Sequence, residues 1–291
     1  MLDPMSGARA PISLAYSVDA DDAFMFHAIR AGLIDGRGLT FQHRRTDTAE
    51  LNRIAQGGGA DVVAISAGVY PRVADTYQLL PHGASIGRGF GPVVVARRAM
   101  GPRDLAGLRV GIPGLTTTAW LVLRLIEPDA RPIEIPIAPF GRIFEVLDAG
   151  EIDAALLIHE GRLLYEERGL HKIVDLGEWW LAETHLPLPL GVNVIRRALG
   201  AETVADVSGV LRESIRFALA HRADLIAALA AEDRGERRLS DPALIDHYLG
   251  LYANDDTLAF ADDARRATGV LYERARRAGL LAGAVPLDWA P

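Results

Sequence analysis

Short apolar runs alternate with helical segments through the first half of the chain, and this alternation limits the fold more than any other feature. The first run lies between Ile12 and Tyr16, the helical segment after it ends at Gly32, and a later run at 61–65 is apolar after its leading aspartate. A strand–helix–strand–helix–strand order predicts a mostly parallel sheet. The first unit of the chain is therefore predicted to be α/β.

The same alternation begins again at residue 92. Strands are predicted at 92–96, 109–112, 133–137 and 153–158, and helices at 116–126 and 142–149. After one more strand at 191–195 the pattern becomes helical, with apolar residues at helical spacing from Val207 to Leu219. The second half of the chain therefore contains another α/β unit, followed by helices.

The length of 291 residues exceeds the usual size of a single hydrophobic core. We predict two lobes, the first formed by residues 1–97 with 198–291 and the second by residues 98–197, including the strand that returns the chain. No long linker separates the two patterns. The lobes are therefore expected to be joined by strands in a double crossover, with a cleft between them.

Ligands of open α/β sheets bind beyond the carboxyl ends of the strands. His159 and Glu160 directly follow the apolar run that ends at Ile158. A histidine there can act as a base or a nucleophile near neutral pH. Glu160 can orient the imidazole. The competing interpretations are a partly exposed loop histidine and a surface or capping glutamate.

Hydroxyl groups stand at two other strand ends. Thr116, Thr117 and Thr118 open a predicted helix after Pro113, where free amides favour an anionic group, although helix capping alone needs only one threonine. Ser66 follows a buried strand but lacks the G-x-S-x-G pattern of a nucleophilic serine. We predict that Ser66 and the threonines contact the ligand.

Two further features have both a functional and a structural interpretation. Arg88 lies in a glycine-rich loop and is either the partner of a substrate carboxylate or a solvated loop residue. Trp179 and Trp180 are predicted to lie in a loop, as core residues or as a wall of an aromatic-binding cleft.

Composition excludes several classes of site and partner. The chain has no cysteine, which excludes disulfides, thiolate nucleophiles and Cys-based metal sites. Its net charge is −7 without a basic block, so no nucleic-acid partner is expected. The Asp19–Asp22 turn lacks the rest of a calcium loop and is interpreted as a helix cap, with Asp21 or Asp22 as the N-cap residue. The histidines lack zinc spacing, so no metal is predicted. Neither an export signal nor a membrane-spanning run is visible.

Several segments resemble known families. Residues 104–111 (DLAGLRVG) and 147–154 (LDAGEIDA) resemble type II solute-binding proteins. A narrower resemblance is to the 1,4-dihydroxy-6-naphthoate synthase family of the futalosine route to menaquinone. It is carried by DDAFMFHAI (21–29), SIGRGFGPVVVARR (85–98), IPGLTTTAWL (112–121) and the long block from 156 to 197 that contains HEGRLLYEERG.

This resemblance implies a two-lobed, type II periplasmic-binding-protein-like fold used as a cytoplasmic enzyme. The implied reaction converts cyclic dehypoxanthine futalosine to 1,4-dihydroxy-6-naphthoate with release of a sugar-derived fragment, by lyase chemistry without a redox cofactor or metal. His159 matches the catalytic histidine of the family, and Thr117 and Thr118 match its ligand-contacting threonines. Ser66 matches a polar residue at the cleft.

The turn after the first strand departs from the family. The family usually has Ser-Pro-Cys-Pro-Asn-Asp, whereas this chain has Ser-Val-Asp-Ala-Asp-Asp, so that only Ser17 and Asp22 match. The resemblance implies that these two face the substrate. Asp21 replaces an amide and so changes donors into acceptors. Two alternatives therefore stand beside the synthase, namely a solute-binding-like protein for a small aromatic carboxylate and a paralogous enzyme with another substrate.

Overall fold

The structure, a computed structural model, describes residues 10–137, 139–232 and 237–291. Most of the amino-terminal segment, for which no export signal was predicted, lies outside these residues. The first sheet contains β1 (Ile12–Ser17), β2 (Phe41–Thr46), β3 (Val62–Ser66), β4 (Tyr77–Leu79), β5 (Ser85–Gly87) and β11 (Leu188–Arg196). The second contains β6 (Val93–Ala96), β7 (Arg109–Ile112), β8 (Arg131–Glu134), β9 (Ala154–Leu157) and β10 (His171–Asp175).

The helices lie between and after these strands. They are α1 (Ala20–Met25), α2 (His27–Arg30), α3 (Thr48–Gln56), α4 (Thr118–Ile126), α5 (Arg142–Asp148), α6 (Leu176–Thr184), α7 (Ala201–Ala220), α8 (Arg222–Ala230), α9 (Pro242–Tyr252), α10 (Asp255–Leu258) and α11 (Asp262–Arg277). No helix in the described ranges is long and apolar enough to cross a bilayer.

The two sheets share one strand arrangement. The first has the order β2-β1-β3-β11-β4, with β5 also paired to β11, and the second has the order β8-β7-β9-β6-β10. In each, three parallel strands are followed by one antiparallel strand. That antiparallel strand, β11 or β6, directly follows a passage of the chain between the lobes. The predicted α/β fold with a double crossover is confirmed by this topology.

The predicted lobe boundaries need correction at these two strands. β6 was assigned to the first lobe but pairs with β9 and β10 of the second sheet, and β11 was assigned to the second lobe but pairs with β3, β4 and β5 of the first. Both strands are short apolar runs beside a crossover. Their sheet is decided by long-range pairing, which local sequence does not encode.

The crossover from β5 to β6 is packed tightly against the start of α6. Gly177 lies there because a β-carbon at this position would overlap the carbonyl group of Phe90. Trp179 and Trp180 are in helix α6 and not in the predicted loop. The indole of Trp180 is fully buried and donates to the carbonyl of Pro187 at 3.0 Å, so this residue stabilises the return crossover.

Apolar packing continues from one lobe to the other. One core cluster includes Val63 and Ile65 of the first sheet together with Val110 and Leu156 of the second. Fully burying each such side chain contributes about 1.5–3 kcal/mol. In the carboxyl-terminal region, α9 packs against α1, α8 and the turn at 159–163. This helix therefore bridges the first lobe and the turn that carries His159.

Candidate active site

A cavity lies between the two sheets, with an empty volume of about 730 Å³ counted to its open mouth. It brings together six of the eight residues that were predicted to form the site. Those that line it are Ser17, Asp22, Ser66, Thr117, Thr118 and His159. Glu160 and Arg88 are not among the lining residues. Strand ends from both lobes thus converge on one space, as the α/β pattern predicts.

His159 begins the turn that follows β9, and its backbone is in the left-handed region with φ 51°. A residue other than glycine pays about 1–3 kcal/mol for such a conformation, which persists only where surrounding contacts hold it. Nδ1 lies 2.9 Å from Oδ2 of Asp19 and 3.4 Å from the hydroxyl of Tyr248. Nε2 lies 3.0 Å from Oγ1 of Thr48. Both ring nitrogens therefore meet groups of the first lobe.

The charges around His159 favour its protonated form. Burial alone would lower the pKa of His159, but the carboxylates of Asp19, Asp21 and Glu160 outweigh it and raise the pKa to about 9. The imidazole is thus largely an imidazolium at neutral pH. The role of base or nucleophile that was predicted from the sequence requires the neutral imidazole. The sequence did not show how many carboxylates would surround the ring.

Two of these carboxylates, Asp19 and Asp21, come from the end of the turn after β1 and from the first turn of α1. The hydroxyl of Ser17 donates to Oδ2 of Asp19, and the amide of Ser17 donates to Oδ2 of Asp22 at 2.7 Å. Oδ2 of Asp21 accepts from the hydroxyl of Ser85 at 2.8 Å. Burial raises the pKa of Asp21 to about 6, and burial together with the charge of Asp21 raises the pKa of Asp22 to about 8. Asp22 therefore retains a proton at neutral pH.

The capping prediction for this turn was wrong in detail. Asp21 and Asp22 lie inside α1, and the N-cap position belongs to Asp19, whose side chain does not cap. The backbone amide of Ala20 instead donates to Oε1 of Glu160 at 3.1 Å. Glu160 is buried and comes from the other lobe. It holds the first turn of α1 from across the cleft, so it is not the exposed residue of the competing interpretation.

Ser66 is joined to the second lobe through Asn52, which sequence reasoning missed. Nδ2 of Asn52 lies 3.1 Å from Oγ of Ser66 and 3.2 Å from Oγ1 of Thr116. Oδ1 of Asn52 accepts from the amide of Ser66 at 3.0 Å. The Ser66 oxygen accepts this bond and keeps its own proton as a donor toward a ligand. A lone asparagine between Leu51 and Ile54 on the apolar face of α3 was the available signal.

Thr117 is the N-cap residue of α4. Its hydroxyl donates to the carbonyl of Gly114 at 2.9 Å and accepts from the amide of Trp120 at 3.2 Å. The hydroxyl is thus used within the turn. The feature of this segment that can bind a ligand is the first turn of α4, because the backbone N–H groups at a helix N-terminus favour an anion.

Thr118 contacts the first lobe. Its hydroxyl donates to the carbonyl of Leu190 at 2.7 Å and accepts from the amide of Gly68 at 3.0 Å. The side chain both lines the cavity and ties α4 to the first lobe. The hydroxyls of Thr117 and Thr118 therefore already have hydrogen-bond partners within the protein. The sequence pattern could not show whether these hydroxyls would bond to the protein or to a ligand.

Arg88 is not brought to the cavity. Nε lies 2.6 Å from Oδ2 of Asp256, and Nη1 lies 2.8 Å from Oδ2 of Asp263. Both carboxylates come from the carboxyl-terminal helices α10 and α11. The guanidinium of Arg88, which was predicted to bind a substrate carboxylate, is thus bound by two carboxylates of the protein itself. This arrangement favours a structural role for Arg88.

Two tyrosines form an aromatic wall that sequence reasoning also missed. Tyr248 and Tyr252 line the cavity from α9, with ring centroids 5.0 Å apart. They stand four residues apart and so share one face of the helix. A tyrosine pair at this spacing in an apolar helix was the only signal, and apolar packing explains such a pair equally well.

The described residues contain one group of side chains close enough to share a cation. Ligand atoms of Asp19, Asp21 and His159 lie within 4.8 Å of one another. The contact between His159 and Asp19 and the hydrogen bond from Ser85 to Asp21 already account for these atoms. We therefore assign no metal to them.

Comparison with known proteins gives the family. A family model described as menaquinone biosynthesis matches residues 12–277. A 1,4-dihydroxy-6-naphthoate synthase of Streptomyces coelicolor is 37% identical over 276 residues, covering 93% of this chain and 94% of that protein. The synthase of Thermus thermophilus is 35% identical over 271 residues, covering 93% and 96%.

This chain belongs to the menaquinone biosynthesis family. The predicted resemblance to its 1,4-dihydroxy-6-naphthoate synthases is confirmed, and so is the prediction that the chain is an enzyme of this kind. Lyase chemistry is consistent with that assignment.

Solved structures confirm the predicted fold of this family member. A crystal structure from Archaeoglobus fulgidus matches with a TM-score of 0.86 and 39% identity, covering 93% of this chain and 98% of that one. The alkanesulfonate-binding protein SsuA of Xanthomonas axonopodis pv. citri matches with a TM-score of 0.70 and 14% identity, covering 96% and 97%. The second likeness concerns the fold alone, which is that of the periplasmic binding proteins.

Proposed function

We propose that this protein is a cytoplasmic 1,4-dihydroxy-6-naphthoate synthase that cleaves cyclic dehypoxanthine futalosine and releases a sugar-derived fragment. The observation that carries the proposal is a histidine from one lobe held by a carboxylate of the other, inside the cavity of a chain from this family. His159 and Asp19 form that pair at 2.9 Å. A carboxylate that orients an imidazole in this way prepares it for proton transfer.

His159 is proposed to transfer the proton that aromatisation of the carbocycle requires. Its deprotonated form is a strong base, since the pKa is raised to about 9. Nδ1 faces Asp19, so Nε2, which meets only the neutral hydroxyl of Thr48, is the nitrogen that exchanges a proton with the substrate.

The remaining lining residues are proposed to bind and orient the substrate. The hydroxyl of Ser66 and the first turn of α4 after Thr117 supply donors for the carboxylate, because an anion is stabilised at a helix N-terminus. The rings of Tyr248 and Tyr252 suit the flat bicyclic product. Ser17 and Asp22 are proposed to lie against the sugar-derived part.

A second candidate is a related enzyme, or a binding protein, for a different small aromatic carboxylate. The observation that favours it is the Asp19–Asp22 turn, which brings Asp21 to the cavity where the resembling family has asparagine and places Asp19 against His159 where the family has cysteine. Oδ2 of Asp21 faces Ser85 there. Such a change alters which hydrogen-bond donors on a substrate are accepted.

Product formation tests the proposal directly. Purified protein is incubated with cyclic dehypoxanthine futalosine, and 1,4-dihydroxy-6-naphthoate is followed by mass spectrometry. We expect product from the wild type and from the His171→Ala control, which changes an exposed histidine on β10, and at least about a hundredfold less from His159→Ala. Absence of product from folded wild-type protein would reject this substrate and direct attention to other aromatic carboxylates.

A further inference from the structure

We propose that Asp19 is the positioning residue of this active site: its carboxylate binds Nδ1 of His159 and so directs Nε2 toward the substrate. The assignment rests on the proposed role of His159. Asp19 belongs to the part of the turn that departs from the resembling family, which has cysteine at this position.

The geometry makes Asp19 the main partner of the ring. Its Oδ2 lies 2.9 Å from Nδ1, whereas the hydroxyl of Tyr248 lies 3.4 Å from the same nitrogen and is the weaker contact. The hydroxyl of Ser17 donates to that Oδ2, and the amide of Asp19 donates to the Ser17 oxygen at 2.8 Å. Asp19 is 5% exposed. Contacts within the first lobe therefore hold the carboxylate in position, independently of the histidine.

The contact is formed between the lobes. Asp19 and Ala20 are consecutive residues of the first lobe, and they meet His159 and Glu160, which are consecutive residues of the second. The carboxylate of Asp19 binds the imidazole, and the carboxylate of Glu160 binds the amide of Ala20. Each of these contacts joins the two lobes. The carboxylate of Asp19 therefore orients the ring only when the lobes are closed at this point.

The left-handed backbone of His159 explains why a strong partner is needed. A conformation that costs about 1–3 kcal/mol is kept only by contacts that outweigh it. A hydrogen bond between an ionised carboxylate and an imidazolium is about twice as strong as one between neutral groups. Burial and the carboxylates of Asp21 and Glu160 oppose a negative charge on a thiol at position 19, so the ring would be held less firmly and would bind its proton less tightly.

Several charged groups face the ring, and they act on it in different ways. Asp19 contacts it directly, Asp21 and Glu160 act through their charges, and Tyr248 contributes a neutral hydroxyl. Asp21 also accepts a hydrogen bond from Ser85, and Glu160 one from Ala20. Removing the charge of Asp19 should therefore lower the proton affinity of His159 more than removing that of Asp21.

The first test is independent of turnover. The ring signals of His159 are assigned in ¹⁵N-resolved NMR spectra by their loss in His159→Gln and are titrated in wild type, Asp19→Asn, Asp19→Cys, Asp21→Asn and the exposed control Asp224→Asn. We expect the pKa of His159 near 9 in wild type, lower by at least one unit in both Asp19 variants, lowered less in Asp21→Asn and unchanged in Asp224→Asn. A pKa that stays the same in the folded Asp19 variants, or falls equally in Asp21→Asn, would overturn the proposal.

The second test separates positioning from binding. With active wild-type enzyme, we expect Asp19→Asn to lower kcat, measured where it no longer depends on pH, by at least about tenfold while KM changes less than about threefold. The rising limb of the pH profile should move to lower pH with the ring pKa. A loss confined to KM would show that Asp19 only binds substrate and would contradict the proposal. Where the wild type makes no product, the NMR titration still decides the role of Asp19, and the failure concerns the substrate alone.

Discussion

The carboxylates around His159 favour its protonated form, and this has a consequence for the pH dependence of turnover. Because its pKa is about 9, the base form increases tenfold per pH unit below that value. We expect kcat/KM to rise with pH from 6 to about 9 and then level off, measured as initial rates of product formation. A rate that falls above pH 9 instead would identify His159 as a general acid.

Ionisation of Asp22 makes the folded state less stable. Its pKa is raised from 3.8 to about 8, so its ionised form opposes the folded state, and the penalty grows as pH rises from about 4 to about 8. We expect Asp22→Asn to increase the free energy of unfolding by on the order of 2 kcal/mol at pH 8, and by almost nothing at pH 4. Urea denaturation at both pH values measures this, with Asp224→Asn as an exposed control. An equal gain at both pH values would exclude ionisation as the cause.

At the scale of single residues, the sequence identified those site residues that directly follow a predicted strand or open a predicted helix. His159, Ser66 and Thr117 stand at strand ends and do line the cavity. Asp19 was interpreted only as part of a capping turn, because nothing local shows that a histidine 140 residues later approaches it. Asn52 and Tyr248 look like ordinary residues of amphipathic helices, and only tertiary packing brings them to the site.

At the scale of elements, the crossover depends on close backbone packing. A β-carbon at Gly177 would overlap the carbonyl of Phe90, which belongs to the backbone and cannot move aside easily. We expect Gly177→Ala to lower the free energy of unfolding by about 1–3 kcal/mol, measured by urea denaturation.

Gly250→Ala is the matched control for Gly177→Ala. Gly250 lies in helix α9, and a β-carbon there would meet only the end of the Arg222 side chain at 3.8 Å. Alanine in an open helical position is favoured over glycine by about 0.5–1 kcal/mol. Equal effects of the two substitutions would show that the close approach to Phe90 does not restrain the crossover.

Elements with strong periodicity were predicted well, and elements whose identity depends on pairing were not. The helical pattern from Val207 to Leu219 corresponds to α7, and the strand predicted at 109–112 is β7. The strand predicted at 133–137 is displaced to Arg131–Glu134, since an exposed edge strand has little apolar patterning to fix its ends. The helix α9 was not predicted individually, and with it the aromatic wall of the cavity was missed.

At the scale of the whole molecule, contacts between His159 and the first lobe couple its protonation to closure. The attraction between the imidazolium and Asp19 is present below about pH 6.5, where the ring is charged in either state, and is lost as pH rises through about 9. We expect the radius of gyration of the free protein to increase between pH 7 and pH 10 in small-angle scattering. His159→Gln should show no such change, and an identical increase in that variant would assign the opening to other groups.

The two-lobed architecture was predictable because the strand–helix alternation occurs twice, but the exchange of β6 and β11 between the halves was not. That exchange bears on how the protein is made. The first sheet is complete only when β11, which pairs with β3, has been synthesised, and Arg196 lies about 130 residues beyond Ser66. At about 5–20 residues per second, one edge of β3 stays unpaired on the ribosome for on the order of 10 s. During that interval the unpaired edge of a strand that is apolar except for Ser66 is open to other nascent chains. The yield of folded protein should therefore depend on how fast the ribosome moves through the second lobe.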